Sequence, residues 1–147
     1  MDLFARTFLP AAADAGLDMP AIGRHLPVFR RYLGADAVEL VTRCTRPDRP
    51  LGEYVLVLTR HRLVIIHESR VVHRVRLHLD APLHELADVT WVPDPTRTTV
   101  ELSATAIDGI RERFTIRLRR RDALAQLDRR LRAIFDGAAP ARQLAAA

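Results

Sequence analysis

The sequence has a single cysteine, no lysine, and no long apolar run. Because Cys44 is alone, no disulfide can form within the chain, and nothing favours an oxidising compartment. No apolar stretch approaches the roughly 20 residues that span a bilayer. The N-terminal residues do not resemble a signal peptide, since Asp2 and Arg6 precede Pro10 in what would be its apolar part. We therefore expect a cytoplasmic protein.

Catalytic and metal-binding patterns are also missing. Five of the six histidines, from His61 to His84, are spaced by six, six, five and six residues, which matches no common metal-ligand spacing. The only serines, Ser69 and Ser103, lie outside any nucleophile-elbow motif, and the glycines form no phosphate-binding loop. The sequence thus predicts a protein that is not an enzyme and holds neither metal nor cofactor.

The positive charge is unevenly distributed. The chain has a net charge of +5, and all 23 basic residues are arginine. Nine arginines and three carboxylates lie between Arg111 and Arg132, a local excess of six positive charges. Two explanations of the exclusive use of arginine stay open. One is coding bias, and the other is selection for bidentate contacts with phosphate or carboxylate. Such asymmetry can attract an anionic surface.

Residues 1–34 are predicted to be helical. Asp2 suits the N-cap of a short first helix, and Pro10 begins a predicted linker, "PAAADAG". A second helix, which Pro27 kinks or divides, is expected to end at Gly34. Its apolar stripe recurs at helical spacing: Ile22, Leu26, Phe29 and Leu33.

The apolar period then changes to two. Seven strands are predicted, at Ala37–Arg43, Glu53–Leu58, Leu63–His67, Arg74–Leu79, Asp88–Val92, Thr99–Ala106 and Arg111–Arg119. A final amphipathic helix is predicted at 122–136, followed by a disordered tail at 137–147. These features indicate a mainly β (α+β) fold, a seven-stranded antiparallel barrel or sandwich capped by a C-terminal helix.

The last two strands predict their own register. Facing residues share a side of the sheet, so the numbers of paired residues must sum to an even total. A two-residue turn at Asp108–Gly109 violates this condition. A three-residue loop, Ile107–Asp108–Gly109, satisfies it and gives Gly109 the left-handed position that glycine favours.

The stretch "GEYVLVLTRHRLVII" resembles a hairpin of bacterial pleckstrin-homology-like (PH-like) and GRAM-like domains, in which one strand ends in Leu-Thr and the next opens with Arg-Leu. Here those residues are Leu58, Thr59, Arg62 and Leu63. The resemblance covers roughly 34–136 and implies an N-terminal helical extension (1–34), a PH-like domain (35–136) and a tail (137–147). It further implies a partly open barrel used for binding and assembly. Arg43 fits the first basic position of inositol-lipid-binding relatives, but residues 51–54 lack the second.

Two candidate surfaces follow. The first is a basic face formed by the last strand and the last helix: Arg113, Arg117, Arg119, Arg129 and Arg130. It is either a solvated cationic surface or a site for an acidic protein or an anionic lipid. Nucleic acid is disfavoured because only 5% of the residues are aromatic and few can stack on bases.

The second surface is apolar. One side of the "VLVLTRHRLVII" hairpin carries Val55, Val57, Val64 and Ile66, which need a cover. We expect the N-terminal stripe to provide it, with a second subunit as the alternative. The predicted function is therefore a non-catalytic scaffold module that binds a protein partner or itself. The alternative is a peripheral binder of anionic surfaces at the inner membrane face.

Overall fold

A computed structural model describes residues 1–138, with the backbone only at positions 50, 51, 137 and 138. The chain forms α1 (Leu3–Asp14), α2 (Met19–Leu33), β1 (Leu40–Arg46), β2 (Arg49–Leu58), β3 (Arg62–Glu68), β4 (Val75–Pro82), a 3₁₀ turn (Leu83–Glu85), β5 (Ala87–Asp94), β6 (Thr99–Thr105), β7 (Arg111–Arg117) and α3 (Asp122–Ala138). The helix prediction ended two residues early. The remainder of the predicted tail, 139–147, lies outside the described residues.

The seven strands form one antiparallel sheet in the order β4-β3-β2-β1-β7-β6-β5. The sheet bends around a barrel core that α3 closes with its apolar face, including Leu127, Leu131 and Phe135. The terminal strands β4 and β5 do not pair with each other in residues 1–138, so the barrel is partly open. The predicted fold class, a mainly β barrel with a C-terminal helix and two N-terminal helices, is confirmed.

The β6–β7 hairpin has the predicted register. Val100 pairs with Ile116, and Thr99 with Arg117. The backbone amide of Ala106 donates to Ile110 across the three-residue loop (3.0 Å). Gly109 has a φ of +83°, which a residue with a side chain rarely adopts. Even-sum pairing was therefore sufficient to predict this hairpin from the sequence.

The predicted linker at residues 10–16 was wrong, because α1 continues through Pro10 to Asp14. Pro10 removes one amide donor, but the alanines that follow are strong helix formers, and Ala12 is fully buried. Pro27 likewise lies inside one uninterrupted α2. Asp2 does cap α1, accepting from the Ala5 amide (2.9 Å), and α2 ends at Gly34 as expected.

Several predicted strand ends were also wrong. β1 begins at Leu40 rather than Ala37, and it continues to Arg46, which pairs with Arg49 of β2. Pro47 and Asp48 therefore form a tight turn within what was predicted as a long connection. Proline and aspartate are common in such turns, but the sequence pattern does not reveal how far the flanking strands extend. β7 ends at Arg117, so Arg119 lies beyond the sheet.

The β2–β3 hairpin is buried on both sides. Leu56, Leu58, Leu63 and Ile65 belong to the barrel core. The opposite side belongs to a second cluster that includes both N-terminal helices, with Phe4, Phe8, Ile22, Phe29 and Leu33 buried and Leu26 partly buried. The prediction that the N-terminal helices cover this sheet face is confirmed. Among residues 1–138, no helix is long and apolar enough to cross a membrane.

Candidate functional site

Of two cavities in residues 1–138, the larger is a groove between the edge strand β5 and the beginning of α3. It has a volume of about 850 Å³. Its walls are mostly apolar and include three charged side chains. The lining residues are Val89, Thr90, Trp91, Pro93, Pro95, Arg121, Leu124, Ala125, Asp128 and Arg132. In residues 1–138, β5 pairs with β6 alone, so the other edge of this groove-lining strand is unpaired.

Trp91 and Asp128 connect the two walls of the groove. The indole Nε1 of Trp91 donates to Asp128 Oδ1 at 2.8 Å, and Arg132 Nε donates to Asp128 Oδ2 at 3.0 Å. The Trp91 ring also stacks on Phe135, with 5.9 Å between ring centroids. The hydrogen bonds from Trp91 and then Arg132 hold the pKa of the Asp128 carboxyl below its usual value. A polar contact therefore ties the strand wall of the groove to its helix wall.

The outer part of β5 offers features that bind extended chains. Val92 is 62% exposed beside the groove. Pro93 has no amide hydrogen and removes one backbone donor from the strand, so pairing along this edge would use the remaining amides and carbonyls of β5. An unpaired strand edge presents backbone donors and acceptors that match those of another extended segment. An apolar groove beside such an edge can accept alternate side chains of that segment.

The charged groups of the groove favour an anionic partner. Asp128, the one carboxylate in the lining, is engaged by Trp91 and Arg132. Arg121 is exposed, and its Nε donates to the carbonyl of Pro95 at 3.3 Å, which keeps the guanidinium at the end of β5. The lining therefore carries two arginines against one carboxylate that is already hydrogen-bonded.

A second cavity, of about 650 Å³, lies near the β1–β2 and β3–β4 turns. Its lining residues are mostly polar and include three arginines: Asp48, Arg49, Gly52, Tyr54, His67, Ser69, Arg70, Val71, Arg76, Leu77 and His78. At its base, His78 Nε2 lies 2.9 Å from Arg46 Nη1 and 3.1 Å from Glu112 Oε2. Val71 and Val72, at the tip of the β3–β4 turn, are 88% and 68% exposed.

The five arginines of the predicted basic face have different environments. Arg113 forms an ion pair with Glu101 (2.8 Å), and Arg130 donates to the carbonyl of Glu39 (3.0 Å). The Arg119 guanidinium lies against Gly16 at the end of α1. The side chains of Arg117 and Arg129 are exposed and form no hydrogen bond or ion pair within residues 1–138. A role for these five in binding stays a prediction.

The predicted apolar interface is an internal contact. Its hairpin residues, Val55, Val57, Val64 and Ile66, are at most 1% exposed beneath the chain's own helices. They present no free surface to a second subunit in this conformation. The hairpin-tip arginines are paired too: Arg60 with Glu39, and Arg62 with Asp80, each at 3.0 Å.

The sequence analysis did not find the groove. The spacing of Asp128 and Arg132 at i,i+4 is enough to suggest their contact, but Trp91 is 37 residues from Asp128 and no periodic pattern links the two. The one available signal was that Trp91 is the sole tryptophan and lies in a predicted strand next to "PDP".

The residues considered for chemistry remain scattered. Within the part of the chain that the structure describes, no group of three histidine, cysteine or acidic side chains could hold a metal ion. Cys44 is 3% exposed, and burial raises the pKa of its thiol. Comparisons of the chain with family models, with curated proteins and with solved structures gave no match.

Proposed function

We propose that this chain is a non-catalytic, PH-like binding module that docks an extended, acidic segment of a partner protein in the groove between β5 and α3. The observation that carries the proposal is the coincidence of an unpaired edge strand with an apolar groove along it. The sheet order and the closing helix are consistent with the PH-like resemblance.

The occupant is expected to be extended because only an extended chain can pair with the free edge of β5. Its backbone would add an eighth strand, and its alternate side chains would point toward Leu124 and Ala125 of α3. The exposed Arg121 and the half-engaged Arg132 favour acidic over basic residues in that segment. A cytoplasmic location is part of this proposal.

Selection from a random peptide-display library tests it, with the full chain as bait. We expect enriched peptides to combine acidic residues with β-branched or aromatic ones. NMR titration with an enriched peptide should shift the amide signals of β5 and α3 more than those of β2 and β3. The absence of enrichment, or shifts confined to another surface, would contradict the proposal.

Matched variants locate the site. Ala125 and Ala133 are both exposed on α3, but only Ala125 lines the groove. Ala125→Trp should fill the groove and weaken peptide binding at least tenfold, whereas Ala133→Trp should leave it unchanged. Arg121→Glu should likewise weaken the binding of acidic peptides, with Arg129→Glu, outside the groove on the same helix, as its control. Equal effects within either pair would place binding elsewhere.

A second candidate function is binding to an anionic membrane surface. It is supported by the second cavity, where Arg49, Arg70 and Arg76 surround a turn that exposes Val71 and Val72. Exposed aliphatic side chains beside arginines suit the interface between lipid tails and anionic headgroups. These arginines differ from the five that were predicted from the sequence.

A further inference from the structure

His25 is a buried ionisable group that neither proposed function uses. It lies on the side of α2 that faces the sheet and is 1% exposed. Neither ring nitrogen, Nδ1 or Nε2, has a hydrogen-bond partner. The Phe29 ring lies on one side of it, 6.3 Å away between centroids. A buried imidazole without a hydrogen bond is costly, and such groups call for an explanation.

The charges around His25 come from three elements. Glu68, at the end of β3, places Oε2 3.6 Å from His25 Nε2, while its Oε1 accepts from Arg24 of α2 at 2.6 Å. Glu53 of β2 pairs in register with Glu68 and acts on His25 from farther away. The charge of His73, in the turn after β3, contributes to lowering the pKa of the Glu68 carboxyl. Glu68 is therefore already engaged by Arg24, and its second oxygen lies within ion-pair distance of His25 but beyond hydrogen-bond distance.

The three largest effects on the protonation of His25 have opposing signs. Removal from water disfavours the charged ring, and Arg24 repels it, whereas Glu68 attracts it. Burial is the largest of these effects, and the pKa of His25 is lowered. The docked state thus holds the ring neutral at a pH at which a solvated histidine would bind a proton.

We propose that His25 makes the docking of α2 acid-labile, so that protonation of its ring favours release of the helix and uncovers the apolar sheet face of Val57 and Val64. This inference is independent of the groove. Its sign follows from linkage. The undocked state binds the proton more tightly, so docking is fully stable above the usual histidine pKa and weakens as the pH falls below it.

The binding of one proton to His25 limits how strongly the opening of α2 can depend on pH. Between pH 7.5 and pH 5.0, the equilibrium constant for opening rises by up to about 30-fold, the limit reached if only the open state is protonated. Glu68 reduces this factor to the extent that it stabilises the charged ring in place.

Hydrogen–deuterium exchange of the full chain over this pH range tests the proposal, with each rate corrected for intrinsic amide exchange. We expect protection in α2 to fall by several-fold or more as the pH falls, while protection in β6 changes little. Unchanged protection in α2, or an equal loss in both elements, would overturn the proposal. This comparison needs the wild-type protein only.

Variants identify the proton's site. His25→Phe and His25→Gln both remove the titrating group, and circular dichroism at pH 7.5 would verify their fold. Each should abolish the pH dependence of α2 protection. His84→Gln, at an exposed position in the 3₁₀ turn, should preserve it. A folded His25 variant that keeps the wild-type pH dependence would assign the effect to another group and overturn the proposal.

Discussion

Trp91 on β5 and Asp128 on α3 are joined by a 2.8 Å hydrogen bond across 37 residues of chain. This contact fixes the position of the closing helix relative to the free edge of the sheet. It also orients the indole ring, on which Phe135 stacks. The geometry of the candidate site therefore depends on a bond that also contributes to the stability of the barrel.

A double-mutant cycle measures that contribution. Trp91→Phe and Asp128→Ala should show a coupling free energy of about 1 kcal/mol at pH 7, reduced by the partial exposure of the carboxylate. The cycle of Trp91→Phe with Arg129→Ala is the control and should give no coupling. Urea denaturation provides the free energies of unfolding. A Trp91–Asp128 coupling within error of zero would mean that the bond does not stabilise the fold.

The same coupling should depend on pH. The pKa of Asp128 is lowered in the folded state, so the ionised carboxylate is stabilised by folding. Its contribution is present above the ordinary aspartate pKa of about 3.9 and is lost as the pH falls through the lower folded value. The cycle repeated between pH 5 and pH 2.5 should show this decline. A coupling that grows on acidification would contradict the assignment.

Two glycines should respond oppositely to alanine. Gly109 has a positive φ with no atom near the position of a Cβ, so Gly109→Ala should cost about 1 kcal/mol through backbone conformation alone. Gly23 lies in α2 with the same open space and an ordinary helical backbone. Gly23→Ala should therefore stabilise the protein by about 0.5–1 kcal/mol. Thermal unfolding of both variants would test the pair, and a shift of the same sign in both would contradict it.

The N-terminal helices should be part of the folded core. Phe8 is fully buried between α1 and the sheet, and Phe8→Ala should cost about 3–5 kcal/mol. Leu3, on the same helix, is 46% exposed, and Leu3→Ala should cost less than about 1 kcal/mol. Chemical denaturation of the two variants measures these losses, and we expect a much lower midpoint for Phe8→Ala than for Leu3→Ala. Similar small losses would indicate that the helical layer is not energetically coupled to the barrel.

Liposome flotation tests the anionic-surface candidate and the predicted basic face together. If the second cavity is the site, the protein should bind phosphatidylserine-containing vesicles at low salt and lose binding at physiological salt. Reversing three arginines, at about 1 kcal/mol each, should then lower binding by at least about 100-fold for Arg49→Glu/Arg70→Glu/Arg76→Glu. Arg113→Glu/Arg117→Glu/Arg129→Glu carries the same charge change and should have a small effect.

The outcomes separate the alternatives. A larger loss in the second triple variant would favour the basic face predicted from the sequence. A wild-type protein that stays unbound even at low salt would eliminate lipid binding by either set of arginines.

Local pattern determined much of the fold. Strand alternation placed Val55 and Val57 on one side of the sheet and Leu56 on the other, because successive side chains of a strand point in opposite directions. The parity of paired residues, together with Gly109, determined the last hairpin. The spacing of Ile22 and Phe29 identified the stripe that covers the sheet, since these features depend only on residues a few positions apart.

Tertiary structure decided the rest. Whether α1 continued past Pro10 depended on the burial of Ala12 against a sheet that forms later in the chain. The partners of Arg113 and Arg130, and the engagement of Trp91 by Asp128, depended on how β7, α3 and β5 meet when the barrel closes. The sequence by itself determined which residues are apolar and with what period. Only closure of the barrel determined which polar groups meet, because hydrogen bonds require positions within a few tenths of an ångström that no periodicity specifies.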